Sequence, residues 1–230
     1  MESNQGVVIQ GPTNHYKEII ECYKDIPNVV WSTWDDEPLE NIEYIRKHIP
    51  VVLNKKPLFP GYLNVNMQTT STIGGVDYLK ERGITEILKV RGDVIITDVF
   101  KFLSLLKGKD MAFLAICKEG IRNDLYYELI YKHYSHDYPV DLVVYGCVDN
   151  IRNAFDFYIE DLIAIPAEAL MLYNFLVKNN LRYTHSYNYL IDNGVYFYLN
   201  DCVDNRIKLN WIKHNNDLVE MHSDNNIYNF

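Results

Sequence analysis

The chain has 230 residues, enough for one large domain with a sizeable core. Hydrophobic residues make up 48% and charged residues 23%, the composition of a folded globular protein rather than a disordered one. A formal net charge of -9, with no compensating block of Lys or Arg, argues against nucleic acid as a partner but leaves room for a local basic site that meets a phosphate.

The first half alternates short apolar runs with helical patterns, which predicts an α/β fold with a mainly parallel sheet and crossover helices. Gly6 to Gln10 reads as the first strand, closed by Gly11-Pro12, and a helix follows from His15 to Tyr23. Asn28 to Thr33 is the second strand, Leu39 to His48 a helix, and Val51 to Leu53 the third strand. A long helix from Asn66 to Arg82 opens in an Asn/Thr-rich region suited to capping and carries Gly74-Gly75 inside it. Close packing against the sheet accounts for two glycines that would otherwise each weaken the helix by roughly 1 kcal/mol.

The fourth strand leads through Lys89 and Arg91 to Asp93. A short helix (Val99 to Leu106) and a fifth strand (Met111 to Cys117) follow. Beyond them, Tyr138 to Tyr145 reads as a strand, Val148 to Tyr158 as a helix, and Ala167 to Lys178 as an amphipathic helix opened by Pro166. No repeat or Gly/Ser linker divides the chain. It reads as one domain over 1–230, with a first half over 1–117 and a second over 118–230.

Cys22, Cys117, Cys147 and Cys202 are scattered without a Cys-x-x-Cys pair and read as reduced thiols. The first six residues lack the basic and apolar regions of a signal peptide, and no apolar run approaches the ~20 residues that span a bilayer. Both observations point to the cytoplasm. Heavy use of Asn, Tyr and Ile hints at a bacterial genome, or a viral one whose product acts in a host cytoplasm.

In open α/β sheets ligands bind beyond the carboxyl ends of the strands. An acid there, Asp93, can hold a divalent cation against phosphate oxygens. Strand alternation puts Lys89 and Arg91 on the same face as Asp93, where they can neutralise phosphate charge. A plain strand-terminal turn with solvated charges is the competing reading of Arg91-Gly92-Asp93.

Gln10 and Gly11 stand at the end of the first strand, where small and polar residues admit a base or ribose. Thr33, Trp34 and Asp35 follow the second strand, with a stacking face at Trp34 and a carboxylate at Asp35. Asn66 and Gln68, beside Asn64, Thr69 and Thr72, crowd amides and hydroxyls at a helix N-terminus that favours anions, though capping explains one Asn.

The series Val7-Val8-Ile9-Gln10-Gly11-Pro12, Ser32-Thr33-Trp34, Asn64-Val65-Asn66-Met67-Gln68 with Ser71-Thr72, and Leu88-Lys89-Val90-Arg91-Gly92-Asp93 resembles the WavE-type lipopolysaccharide-synthesis glycosyltransferases of the GT-A superfamily. The match covers about the first hundred residues. It implies a Rossmann-like nucleotide-binding fold, a nucleotide-sugar donor, a glycan or glycolipid acceptor, and Mn²⁺ or Mg²⁺ held by Asp93. Met67 stands where the family pattern leads one to expect a basic residue, and Gly92 where it has a small hydroxyl residue.

Downstream, Pro166-Ala167-Glu168 resembles the acidic helix that supplies the general base in inverting members, with Asp149 in reserve. A first-turn Glu favoured by the helix dipole is the plainer account of Glu168. The resemblance also makes His222 a candidate to complete the metal shell. Two competitors remain: a sugar-phosphate nucleotidylyltransferase, and an inactive glycan-binding or assembly protein of the same fold. A homo-oligomer is compatible with all of them.

Overall fold

Alternation in the first strand decides the architecture. In β1 (Gln5–Gln10) Val7 and Ile9 belong to one apolar layer and Val8 to the other, and all three are fully buried. A strand buried on both faces needs cover on both. The computed structural model describes residues 3–116, 138–159, 167–179, 196–198, 206–212 and 218–220.

The other strands of the main sheet are β2 (Val29–Trp34), β3 (Val51–Asn54), β4 (Glu86–Arg91), β6 (Met111–Ile116), β7 (Tyr138–Cys147) and β8 (Tyr196–Tyr198). Their order is β3-β2-β1-β4-β7-β6-β8. The first four run parallel, β7 runs antiparallel to both its neighbours, and β8 is parallel to β6. The expected Rossmann-like α/β sheet, mainly parallel and flanked by helices, is therefore present. A second, three-stranded sheet joins β5 (Val94–Ile96) to β9 (Leu209–Ile212) and β10 (Leu218–Glu220).

On one face lie α1 (Tyr16–Tyr23), α2 (Leu39–Arg46) and α4 (Val99–Leu106), packed with Val7, Ile9, Trp31, Leu88 and Val90. Asp98 caps α4 by accepting from the Lys101 N–H at 2.9 Å. The other face carries α3 (Val65–Lys80), α5 (Val148–Phe155) and α6 (Ala167–Lys178), packed with Val8, Val30, Ile87 and Val144.

The two glycines of α3 are packing glycines, as expected. A Cβ on Gly75 would stand 2.5 Å from Val8 Cγ1, and one on Gly74 would stand against the Asn54 amide. Only a bare backbone lets α3 lie this close to β1, β2 and β3.

Two sequence expectations need correction. The fourth strand ends at Arg91, and Gly92-Asp93 forms the turn into β5. Gly92 N–H donates to the Gln10 carbonyl at 2.8 Å, and a Cβ there would stand 3.0 Å from the Pro12 carbonyl and 3.2 Å from Trp31. That close approach leaves little room for a side chain at this position. The helix after β7 is also shorter than expected, ending at Phe155.

Candidate functional site

The carboxyl ends of β1, β2, β3 and β4 share one edge of the sheet, and polar side chains gather there. Gln10 lies beside Ser32 on one side and Arg91 on the other in strand register, so all three share the α3 face with Lys89. Gln10 is buried, donates from Nε2 to Ser71 Oγ at 2.8 Å, and leaves Oε1 without a partner. Above it, the hydroxyls of Thr69 and Thr72 and the Gln68 Oε1 are likewise buried without a partner. Buried polar atoms are nearly always satisfied. Four such atoms lie along the first half of α3 and the end of β1.

Arg91 and Asp93 close on each other across the turn. Arg91 Nε donates to Asp93 Oδ1 at 2.9 Å and Nη2 to Oδ2 at 2.5 Å, a two-pronged pair with about a quarter of each side chain exposed. Behind them stands Asp141 of β7, which sequence reasoning missed. Its Oδ1 lies 3.9 Å from Arg91 Nη1 and its Oδ2 3.8 Å from Lys89 Nζ. Lys89 also donates to the Asp141 carbonyl. The register of β6 against β7 shifts between Phe113 and Leu114, and this irregularity falls where Asp141 turns inward. The available signal was an acid inside the apolar run Tyr138 to Tyr145, matched by a lysine inside Glu86 to Arg91.

Several expected contacts are corrected by burial. Lys89 is fully buried, with Nζ 5.6 Å from the centre of the Phe155 ring, so it cannot reach a ligand phosphate. Asn66 is a structural clasp: its Nδ2 donates to the carbonyls of Phe59 and Ile159 at 3.0 and 2.7 Å, and its Oδ1 accepts from Ile159 N–H at 2.9 Å. Both amide protons are used. Thr33 is buried on the face opposite Gln10, and Trp34 is only 3% exposed and offers no open stacking face.

Gly11 takes a positive φ of 111°, and its carbonyl accepts from Trp31 Nε1 at 3.0 Å. Asp35 is exposed just past the end of β2, while its backbone N–H bonds the Asn54 carbonyl. The loop after β1 is pinned from above: Glu37 accepts from both the N–H and the hydroxyl of Thr13.

Asp149 leaves the candidate set. It follows β7, whose antiparallel course carries its carboxyl end to the edge opposite Asp93, where Cys147 pairs with Glu86. Asp149 is there ion-paired with Lys80 at 2.8 Å. Glu168 falls in the first turn of α6, but its side chain lies outside the described residues, as does the whole of His222. β10 itself runs away from Asp93: it starts beside Ile212, whose N–H bonds the Asp93 carbonyl, and ends beside Asn210.

The turn holding Asp93 is braced from the other face. The Tyr23 hydroxyl donates to the Val94 carbonyl and accepts from the Ile96 N–H, each at 3.2 Å. Burial pushes this phenol far above the usual tyrosine range.

A dication fits this arrangement poorly. Both oxygens of Asp93 are engaged by Arg91, Asp141 faces two cations, and no group of three His, Cys, Asp or Glu suited to a metal occurs among the described residues. Hard cations need several oxygen ligands, and a metal here would have to enter beside a guanidinium.

No family model and no curated protein matches the sequence. Among solved structures the chain is similar to a cytidylyltransferase from Leptospira borgpetersenii, with 13% identity over 78% of this chain and 74% of that one, at a TM-score of 0.44. It is similar to a 4-diphosphocytidyl-2C-methyl-D-erythritol synthase, with 14% identity over 84% and 98% of the two chains, at a TM-score of 0.46. The galactosyltransferase LgtC, in complex with donor and acceptor sugar analogs, has 11% identity over 84% and 72%, at a TM-score of 0.45. These are likenesses of overall arrangement.

Proposed function

We propose that the protein is a glycosyltransferase that takes a sugar from a nucleotide-sugar donor and passes it to a glycan or glycolipid acceptor. The observation that carries this reading is that Arg91, the unpartnered Gln10 Oε1 and the exposed Asp35 stand at or just past the carboxyl ends of three neighbouring parallel strands. Arg91 offers charge to a diphosphate. The exposed Asp35 carboxylate is a polar partner suited to a base or ribose, and the buried amide and hydroxyl oxygens of Gln10, Gln68, Thr69 and Thr72 line the wall behind it.

In the reaction proposed, the acceptor hydroxyl attacks the anomeric carbon as the bond to the diphosphate oxygen breaks. The acceptor proton passes to a base, for which Glu168 is the residue put forward, and the electron pair leaves with the diphosphate. The sequence resemblance to GT-A enzymes supports the same assignment, and the polar set lies at the carboxyl ends of parallel strands, where open α/β sheets bind ligands. Without ligand, both oxygens of Asp93 are engaged by Arg91, and the charge proposed to meet the diphosphate is that guanidinium.

The competing nucleotidylyltransferase reading is weakened by the loop after β1. A triphosphate there would face Glu37, which holds Thr13 by two hydrogen bonds. Among the described residues no helix is long and apolar enough to cross a membrane, so a glycolipid acceptor would be met at a surface.

The test is a thermal-shift panel of UDP-, GDP- and dTDP-sugars, followed by donor turnover with and without acceptor glycans. A true donor at 100 times its Kd raises stability by ~2.7 kcal/mol. Absence of any shift across the panel, with no sugar release, overturns the proposal.

A further inference from the structure

The Arg91–Asp93 pair has the geometry of a ligand contact made within the chain. A guanidinium fork accepts a carboxylate and a phosphate in the same planar, two-pronged way. Here Asp93 fills the Nε/Nη2 side of the fork, at an edge where both side chains remain about a quarter exposed. We propose that Asp93 is an internal stand-in for the donor's phosphate: it holds the fork of Arg91 until a phosphate group displaces it, so that the guanidinium, not a dication, meets the diphosphate.

The surroundings are built for such an exchange. Arg91 is held from behind by Asp141, whose Oδ1 faces Nη1, and Asp141 is held in turn by the buried Lys89. The guanidinium therefore keeps an anchor when Asp93 leaves. The backbone of Asp93 is fixed by Ile212 N–H on its carbonyl, and that of Gly92 by the Gln10 carbonyl. The exchange is then a rotation of the short Asp93 side chain about a fixed backbone. Asp141 and Lys89 are then positioning residues, and their charges cancel inside the sheet.

This inference rests on the reading that the ligand carries phosphate, and it reverses what a metal site requires of Asp93. A ligand that competes with an internal group binds more weakly by the fraction of time the fork is open. If the pair is closed about nine-tenths of the time, removing the carboxylate raises phosphate affinity about tenfold.

The experiment is calorimetric binding of inorganic pyrophosphate, UDP, GDP and dTDP to the full chain in EDTA, repeated with Mn²⁺. The proteins are wild type, Asp93→Asn, Asp93→Ala, Arg91→Gln and Arg91→Lys. Expected are tighter binding in both Asp93 variants, loss in Arg91→Gln, an intermediate loss in Arg91→Lys, and no gain from Mn²⁺. If Asp93→Ala lowers the melting temperature, Asp93→Asn, which keeps the shape without the charge, decides in its place. Weaker binding in Asp93→Asn, or wild-type binding that appears only with Mn²⁺, overturns the exchange while leaving the nucleotide reading standing. Tighter pyrophosphate binding with no nucleoside diphosphate bound supports the exchange and sinks the nucleotide-sugar reading. No binding of any probe to either Asp93 variant overturns both.

Discussion

The two halves of α3 lie on the same sheet and could hardly differ more. Toward its end, Gly75, Val76 and Leu79 press on Val8, Val30 and Ile84, and the contact is apolar and close. Toward its start, Asn66, Thr69, Ser71 and Thr72 are equally buried, but three of the polar atoms there and at Gln68 meet nothing within the chain. The apolar half supplies hydrophobic stabilisation, whereas the polar half carries a desolvation cost that a ligand could offset. One helix presents an apolar surface toward the amino edge of the sheet and a polar one toward the carboxyl edge.

That contrast can be tested hardest where charge is buried. Lys89 and Asp141 stabilise the carboxyl half only as a pair. Asp141→Leu strands a fully buried ammonium and is expected to cost about 3–5 kcal/mol, read from urea unfolding. The double variant Lys89→Met/Asp141→Leu is expected to recover most of that loss, because well-packed apolar residues can replace a buried pair. Equal stability of single and double variants would show that the two charges do not depend on each other.

Next in size is the brace beneath Asp93. Tyr23→Phe removes the hydroxyl that serves Val94 and Ile96, leaving a buried carbonyl and a buried N–H unpaired. A loss of about 2 kcal/mol is expected. Hydrogen exchange at Ile96 should accelerate in the same variant, while exchange at Val8, in the apolar half, stays as slow as before.

How far the sequence carried this picture depends on the range of the interaction. The strands were legible because Val7, Val8 and Ile9 alternate between two buried layers, and the packing role of Gly74-Gly75 followed from glycine inside a helix. Strand direction was not legible. Nothing in Tyr138 to Tyr145 says that β7 runs antiparallel, and that alone moved Asp149 to the far edge. Lys89 read as a phosphate partner because its own neighbours in sequence do not reveal its counter-charge, 52 positions away. Asn66 read as a ligand contact for the same reason, since its clasp on Ile159 spans 93 positions. The i, i+2 spacing of Arg91 and Asp93 placed them on one face. Whether they would reach for a ligand or for each other was decided by the turn at Gly92.

A smaller effect tests the apolar half itself. Gly75→Ala adds helix propensity of roughly 1 kcal/mol but drives a Cβ to 2.5 Å from Val8 Cγ1. Val8 is β-branched, stiff and fully buried, so α3 must lift from the sheet, and overpacking of this kind costs about 1–3 kcal/mol. A net loss of about 1 kcal/mol is expected. An increase in stability would mean that the two surfaces fit more loosely than the distances imply.

The smallest effect lies on the outer surface, where α5 meets α6. Lys178 donates to Asp156 at 2.8 Å and holds its carboxyl below the ordinary carboxylate range. A depressed folded-state pKa stabilises the protein above the unfolded value, and that contribution is lost as pH falls through the folded value. The pair is substantially exposed, so solvent screening limits it to about 0.5 kcal/mol at neutral pH. The stability difference between wild type and Asp156→Asn should therefore shrink toward zero on acidification, and 1 M salt should reduce it at neutral pH. The Lys89–Asp141 pair, sealed inside the sheet, should be nearly indifferent to the same salt. A salt response as large for the buried pair as for the exposed one would mean that water reaches the carboxyl half of the sheet from beneath, and would undo the distinction between its sealed charges and its exposed ones.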